Sequence, residues 1–331
     1  MPSFRRILVA INALDAKSHP SVLKAAQIAR ACGAQIELYH GLDTPVYADL
    51  YAGGDLGMPD LQRSIQQRAL HQLENIADRL RRHSLKVNVC AQWDYPAFEA
   101  IVRRAMRIKA DLIVSSVHAG RHRLPSLMRL TDWELVRLSP IPVLIVKNAH
   151  PYRRPAILSA VDPAHAFSKP LQLDRRILRT GRMLSESLRG TLHAVHAYAR
   201  VPGGALPEMG ITPSLIEDIT RQAERDARVR LDRALRATRI ARSRRYLVAR
   251  DPVNGIVEAA RRSRSAIVVM GAISRSGFRR LLIGNTAERI LDELSCDVLV
   301  VKSSKFRTRV PRSVRGPHWL TSMPIPMAGY Y

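Results

Sequence analysis

Cysteine and long hydrophobic runs are both scarce in this chain of 331 residues, and each scarcity excludes a class of protein. The three cysteines, Cys32, Cys90 and Cys296, have no CxxC spacing. This argues against a disulfide framework or a zinc site and favours reduced thiols in the cytoplasm. No apolar run approaches the roughly 18 residues that span a bilayer, and the first residues lack the apolar stretch of a secretion signal. We therefore expect a cytoplasmic protein without membrane contact.

Acidic residues are also few, and the resulting charge bears on partners rather than on fold. The chain has 53 basic and 28 acidic residues, for a net charge of +25, and only eight of the basic residues are lysine. A field of this size attracts polyanions, although an arginine-rich coding bias explains it equally well. The segment 221–250 is rich in arginine but has Tyr246 as its only aromatic residue, whereas nucleic-acid readers stack bases on aromatic side chains. Weak, nonspecific polyanion binding is left open.

The chain contains two copies of one pattern. Leu112–Lys147 aligns without a gap on Ile267–Lys302, at an offset of 155 residues, and Ile7–Asn12 aligns on Ile157–Asp162. A period of this length indicates duplicated domains rather than a solenoid. We predict a first domain over residues 1–150, a second over 151–303, and a basic, proline-containing tail over 304–331. The tail has no apolar periodicity, which predicts a segment that is mostly disordered or draped over the domains.

Within each copy, short apolar runs alternate with amphipathic stretches. Because strands that alternate with helices form parallel crossovers, this predicts α/β architecture with two tandem doubly wound parallel sheets. Ligands of such sheets bind beyond the carboxyl ends of the strands, at the point where the strand order reverses. The loops after the first and fourth strands of each copy are therefore the places where a site is expected.

In the second copy, these loops carry a pattern suited to a phosphate. The fourth strand ends in Met270-Gly271, and Gly284 follows thirteen residues later, immediately before Asn285-Thr286. Glycine lets the backbone approach a ligand, and a helix start exposes free N–H groups that suit an anion. Asp162 closes the first strand at the same sheet edge, where its carboxylate can accept a hydrogen bond from a base or a ribose.

With these residues the chain resembles the universal stress protein family, whose nucleotide-binding members carry G-x2-G-x9-G-[S/T] at this place. Thr131-Asp132-Trp133 is similar to a stretch in the first copy of the tandem, E-type members. The resemblance implies Rossmann-like domains and a stress-response binding protein with ATP in the second copy. It also implies an intramolecular pseudo-dimer in which Pro142–Val146 pairs antiparallel with Val298–Val301, and it leaves a homodimer open.

The resemblance assigns residues to the site one by one, with departures. Ser274 stands in place of the middle glycine and Asn285 in place of the final Ser or Thr, while Arg275 adds positive charge. Asp162 matches the aspartate that contacts adenine, and Ala197 falls where the second strand contacts the base. The expected site is therefore Asp162, Ala197, Met270, Gly271, Ser274, Arg275, Gly284, Asn285 and Thr286.

The first copy has lost the motif, so no nucleotide is expected there. Asn12 replaces the aspartate, and the motif positions read Ser116, Ala119, Arg129 and Leu130. Leu130 offers no polar contact to a phosphate.

Simpler roles compete with the ligand interpretation. Asn285-x-x-Glu288 and Thr131-x-x-Glu134 both have the spacing of a helix capping box, which alone would explain these residues. The strand-end histidines His40 and His196 are interpreted as structural.

Catalysis has little support in the sequence. No GxSxG, HExxH or Walker lysine is present, so a slow nucleotide hydrolase in the same groove is a weaker alternative to a binding protein. A nucleic-acid-associated factor, suggested by the positive charge alone, is also a weaker alternative. His118 and His122 have the spacing of metal ligands, but the arginines around them repel a cation.

Overall fold

We analysed a computed structural model of the chain, which describes residues 4–43, 46–47, 58–116, 125–165, 172–198, 212–272 and 285–320. No helix in these ranges is long and apolar enough to cross a membrane.

The first domain alternates strands and helices as the apolar pattern predicts. Its elements are β1 (Arg6–Ala10), α1 (Pro20–Cys32), β2 (Gln35–Leu42), β3 (Val46–Tyr47), α2 (Met58–Arg81), β4 (Val87–Trp93), α3 (Ala97–Arg107), β5 (Leu112–Ser116), α4 (Pro125–Leu138) and β6 (Val143–Val146).

The second domain repeats this order. Its elements are β7 (Ala156–Ala160), α5 (Leu173–Ser187), β8 (Thr191–Tyr198), α6 (Pro213–Leu235), β9 (Arg245–Ala249), α7 (Pro252–Arg262), β10 (Ser265–Gly271), α8 (Asn285–Glu293) and β11 (Asp297–Val301), followed by β12 (Trp319–Leu320).

The two domains share one ten-stranded sheet, in the order β4-β2-β1-β5-β6-β11-β10-β7-β8-β9. Within each domain all pairings of this sheet are parallel. β1 lies beside β5 in the first domain, and β7 lies beside β10 in the second. The domains meet through the antiparallel pair β6–β11, with Leu144 opposite Leu299. The predicted α/β fold and the predicted pairing of the last strands are both confirmed. The pairing covers two sheet edges that would otherwise expose unpaired backbone groups.

The core is two apolar layers, one on each face of the shared sheet. Residues such as Ile28 of α1 and Leu73 of α2 pack on one face with α5 and α6 of the second domain. Residues such as Ile101 of α3 and Leu135 of α4 pack on the other face with α7 and α8. Because both faces are covered, the central strands of the sheet are mostly apolar rather than alternating with polar residues.

A buried network of charged and polar side chains joins the two domains. Asp297 has no exposed surface, and its carboxylate lies 2.9 Å from Lys24 Nζ of α1. The same carboxylate accepts hydrogen bonds from the Tyr152 hydroxyl, at 2.7 Å, and from the Lys147 backbone N–H, at 2.8 Å. Burial, and next the neighbouring Asp297, raise the pKa of Tyr152 well above its usual value. The network links the first domain, the connecting segment and the last strand of the second domain.

Two lysines at equivalent positions of the repeat each cap a helix of the other domain. Lys147 follows β6 and donates to the carbonyls of Leu291 and Leu294 at the end of α8. Lys302 follows β11 and donates to the carbonyl of Arg137 at the end of α4, at 3.3 Å. Cations suit helix C-termini because the last carbonyls lack partners within the helix. The lysines matched in the sequence repeat therefore act across the interface.

Of the two predicted alternatives for the tail, residues 304–320 follow the draped one. They extend from the second domain onto the first, where β12 pairs in parallel with β3. Val310 is buried, His318 stacks on Tyr95 with ring centroids 4.4 Å apart, and Arg315 lies 2.7 Å from Glu99. Side-chain stacking and charge hold this segment, neither of which requires the apolar periodicity that the prediction looked for. Residues 321–331 lie outside the described part of the chain.

Candidate functional site

The predicted site lies at the carboxyl edge of the second domain's sheet. β7 and β10 are neighbouring parallel strands, so Asp162 after β7 and Gly271 at the end of β10 reach the same edge. α8 begins beyond this edge, at Asn285. The fold therefore brings the aspartate, the strand end and the helix start to the crevice where doubly wound sheets bind ligands.

Asp162 presents a partly exposed carboxylate at this edge. Its side chain is 41% exposed, with Oδ1 4.0 Å from Nδ1 of His196. Its backbone N–H donates to Asp174 Oδ1 at 3.3 Å, which fixes the turn after β7. The carboxylate is placed to accept hydrogen bonds from a ligand entering from solvent.

The strand-end histidines have matching contacts in the two domains. His196 Nδ1 lies 3.3 Å from the carbonyl oxygen of Val161, and His40 Nδ1 lies 2.7 Å from that of Ile11. Each ring thus ties the end of the second strand to the end of the first. These contacts support the structural interpretation of both histidines.

The missing side chain of Gly271 makes room for packing, and the approach of its backbone to a ligand stays a prediction. A Cβ added there would lie 2.8 Å from Leu173 Cδ2 and 3.2 Å from Ile177 Cδ1, both on α5. In the first domain, Ser116 occupies the equivalent position, and its hydroxyl donates to Ser21 Oγ of α1 at 3.2 Å. The space left by the missing side chain is filled by α5 and not open to a ligand. Met270 is likewise buried, in the layer formed with α7 and α8.

Ala197 also packs on a helix, and the repeat shows how. A Cβ added at Gly255 of α7 would lie only 2.6 Å from Ala197 Cβ, so the alanine methyl sits against the bare glycine. In the first domain the two residues are exchanged, with Gly41 on the strand and Ala100 on the helix. The Ala197 methyl group therefore faces α7, and the contact between this position of the strand and a base stays a prediction.

The phosphate side of the site is described only in part. Asn285 and Thr286 form the first turn of α8, while Ser274, Arg275 and Gly284 lie outside the described residues, as do Ala119, His118 and His122. Among the residues that are described, no cluster of three or more His, Cys, Asp or Glu side chains could hold a metal ion.

The capping predictions also need correction. Glu288 accepts from Arg137 of the first domain at 3.1 Å, so its carboxylate is used across the domain interface. Thr131 lies inside α4, because that helix begins at Pro125 and not near Thr131. Glu134 lies 2.5 Å from Arg137 instead of reaching back to a helix start. Proline suits the first helical position, and no glycine interrupts the residues after it.

A cavity of about 170 Å³ lies at the same edge of the first domain. The sequence does not predict it, because the glycine motif that indicates a site is missing there. Its lining residues are Ala10, Asn12, Tyr39, His40, Gly41, Asp43, Ala97 and Ile101. The Tyr39 hydroxyl is buried and has no hydrogen-bond partner within the described part of the chain, and burial raises the pKa of Tyr39. Asn12 and Gly41, at the positions of Asp162 and Ala197, were the signal available. The volume suits a few water molecules or a small polar group rather than a whole nucleotide.

The family follows from comparison with known proteins. The model of the universal stress protein family matches residues 3–147 and again residues 157–302. The chain belongs to this family.

Relatives have the same tandem length. Universal stress protein E of Escherichia coli strain K12 is 25% identical over 316 residues, which cover 94% of this chain and 98% of that protein. A universal stress protein E homolog of Haemophilus influenzae is 26% identical over 254 residues, covering 74% and 79% of the two chains. The solved structure of a putative universal stress protein from Pseudomonas aeruginosa UCBPP-PA14 superposes with a TM-score of 0.67 at 24% identity, covering 91% of this chain and 94% of that one. The last comparison bears on the fold alone.

Proposed function

We propose that this tandem universal stress protein is a cytoplasmic stress-response binding protein whose second domain holds ATP or another phosphate-bearing anion. The first domain serves as its structural partner. The free thiols of Cys32, Cys90 and Cys296 fit a reducing compartment.

The place where α8 begins carries this proposal. Asn285 is its first residue, so the free N–H groups of the helix start lie directly after Gly284, at the sheet edge that Asp162 also reaches. The partial positive charge of a helix start attracts phosphate, and the carboxylate of Asp162 accepts hydrogen bonds from hydroxyl or amino groups. The two ends of the crevice thus suit the two ends of a nucleotide.

In the first domain, the residue aligned with Asn285 is Leu130, which lies inside α4. The backbone N–H groups at this position are therefore inside a helix and unavailable to an anion. This supports the proposal that the first domain does not bind a phosphate here.

Two variants separate the ends of the site when binding of ATP and adenosine is measured by calorimetry. Asn285→Asp keeps a residue that favours helix starts but places a negative charge beside the phosphates. It should weaken ATP binding by about tenfold, or about 1.4 kcal/mol, and leave adenosine unchanged. Asp162→Ala should weaken the binding of both ATP and adenosine.

A gain-of-affinity variant provides the matched control. Ser274→Gly together with Asn285→Ser restores the motif of the nucleotide-binding members and should raise the affinity for ATP. Failure of both the natural chain and this variant to bind ATP would overturn the proposal, as would ATP binding that Asn285→Asp leaves unchanged.

Hydrolysis and nucleic-acid association receive less support. Arg221 and Arg228 of α6 lie 2.9 Å from Asp218 and 2.7 Å from Glu224, so part of this arginine-rich surface is neutralised locally. Phosphate release during the ATP titration tests the first alternative. A steep fall of oligonucleotide affinity with ionic strength is the mark of the second.

A further inference from the structure

The interface between the domains has an approximate two-fold symmetry. Of its two equivalent sides, one contains a cavity, here called the open side, and the other contains an ion pair, here called the closed side. β6 and β11 run antiparallel at the centre, with α4 and α8 across them. Within the aligned segment Leu112–Lys147, symmetry relates each residue to the residue 155 positions later. Two equivalent spaces between the helices can therefore be compared directly.

The closed side is filled by an ion pair. Arg137 of α4 lies 3.1 Å from Glu288 of α8, and Lys302 holds the Arg137 carbonyl at 3.3 Å. All three side chains are at least partly buried. Long charged side chains in contact leave no room for a ligand here.

The open side carries different residues at the same positions. Trp133 stands where the other side has Glu288, and Asp292 stands where it has Arg137. A cavity of about 180 Å³ remains between them. Trp133 belongs to the Thr131-Asp132-Trp133 stretch singled out in the sequence, which the proposed nucleotide site does not use.

The floor of this cavity is apolar and its rim is polar. Val136 of α4, Ile145 of β6 and Leu291 of α8 form the floor, and each is at most 6% exposed. The remaining lining residues are Asp132, Trp133, Lys147 and Asp292. The Lys147 ammonium group is turned to the carbonyls of Leu291 and Leu294. The described lining residues thus carry two carboxylates and one ammonium group, in a chain whose net charge is +25.

Size and charge together indicate the ligand. A cavity of about 150 Å³ holds one benzene ring, so this one accommodates a single ring with a short substituent. Two carboxylates and an indole attract a cation, since the face of an aromatic ring favours positive charge. We propose that this interface cavity binds a small amphipathic amine, with its ring on the apolar floor and its ammonium group between Trp133 and the carboxylates of Asp132 and Asp292.

Three probes of one shape test the charge requirement. Phenethylamine, 2-phenylethanol and 3-phenylpropionate share a ring and a short chain but are cationic, neutral and anionic at pH 7. Binding is followed by ligand-observed NMR and by the fluorescence of Trp133 in a background where Trp93 and Trp319 are phenylalanine. The amine should bind at least tenfold more tightly than the alcohol, and the carboxylate more weakly than either.

The symmetry supplies a variant that closes the cavity without disturbing the interface. Trp133→Glu with Asp292→Arg copies the ion pair of the closed side, and it should abolish amine binding while the urea midpoint stays within a few tenths molar of the parent. If that variant unfolds, Asp292→Asn is the second test: it should reduce the preference for amine over alcohol by severalfold and leave alcohol binding unchanged. No amine binding by the parent, equal binding of the carboxylate, or unchanged amine binding in the closed variant overturns the proposal. ATP binding by the second domain is independent of all these outcomes.

Discussion

The exchange of glycine and alanine between the two domains gives a prediction whose size follows from the structure. Adding a methyl group at Gly255 places it 2.6 Å from Ala197 Cβ, whereas adding one at Gly41 places it 3.7 Å from Ala100 Cβ, an ordinary contact. α7 would have to move back from β8 by about 1 Å to relieve the first contact, in a close-packed layer. Such overpacking costs about 1–3 kcal/mol of unfolding free energy.

A second effect opposes this cost. Replacing glycine by alanine inside a helix stabilises it by about 1 kcal/mol. Gly255→Ala should therefore change stability by about 0 to −2 kcal/mol overall. Because the net value is small, the informative quantity is the coupling with Ala197, and a double-mutant cycle isolates it.

The cycle compares Gly255→Ala, Ala197→Gly and the double variant in urea unfolding followed by circular dichroism. The double variant reproduces the arrangement of the first domain and removes the close contact. Its stability should exceed the sum of the single effects by about 1–3 kcal/mol. Gly41→Ala is the matched control and should be neutral or slightly stabilising, since the added methyl has room.

Additive effects within about 0.5 kcal/mol would refute the reasoning, because they would mean that the two residues do not share one space. A Gly41→Ala variant as destabilised as Gly255→Ala would refute it as well. The nucleotide affinity of the double variant provides a further check. It should equal that of the parent, since the Ala197 methyl faces α7.

Three further variants test the joins between the domains. Asp297→Asn leaves the Lys24 ammonium buried without its counter-charge and should lower the free energy of unfolding in urea by about 3–5 kcal/mol, with part of the loss recovered when Lys24→Met is added. Burial, and next the neighbouring Arg137, lower the pKa of Lys302 from 10.5 to about 8. Between pH 8 and pH 10.5 the unfolded chain therefore binds one proton more than the folded chain. The free energy of unfolding should rise by up to about 3 kcal/mol as the pH increases over this range. Lys302→Met should flatten that rise, and a pH profile identical to the parent's would contradict the assignment. Arg315→Glu should repel the carboxylates of Glu99 and Asp94 and release residues 304–320, so that trypsin cleaves this segment faster. Arg312 is exposed, and the control variant Arg312→Glu should leave the rest of the segment protected.

The elements of the fold could be predicted from the chain because local pattern determines them. The apolar run Arg245–Ala249 predicts a strand, and β9 lies there. The amphipathic pattern of Leu173–Leu188 predicts a helix, and α5 ends one residue earlier, at Ser187. Continuous apolar runs, interrupted by amphipathic stretches, specify buried strands and covering helices. The duplication then made the antiparallel junction of the last strands predictable by resemblance.

Boundaries without strong local signals were less predictable. α4 begins at Pro125 rather than near Thr131, because Thr131 has the spacing of a cap but lies within a segment that is helical throughout. The amphipathic pattern predicts a helix over Ser214–Ala241, whereas α6 ends at Leu235. In both cases the arginine-rich composition is compatible with helix and with loop, so tertiary contacts decide.

The sequence by itself determined the duplicated α/β architecture, the family and the sheet edge at which a ligand is expected, since periodicity and order along the chain suffice for these. Only the tertiary structure decided what each small residue is for. Gly271 and Ala197 read as ligand contacts in a motif, but they face Leu173 and Gly255 across helix–sheet contacts. The direction of a side chain and the volume beside it depend on which distant residues pack there, and that information is not local in the chain.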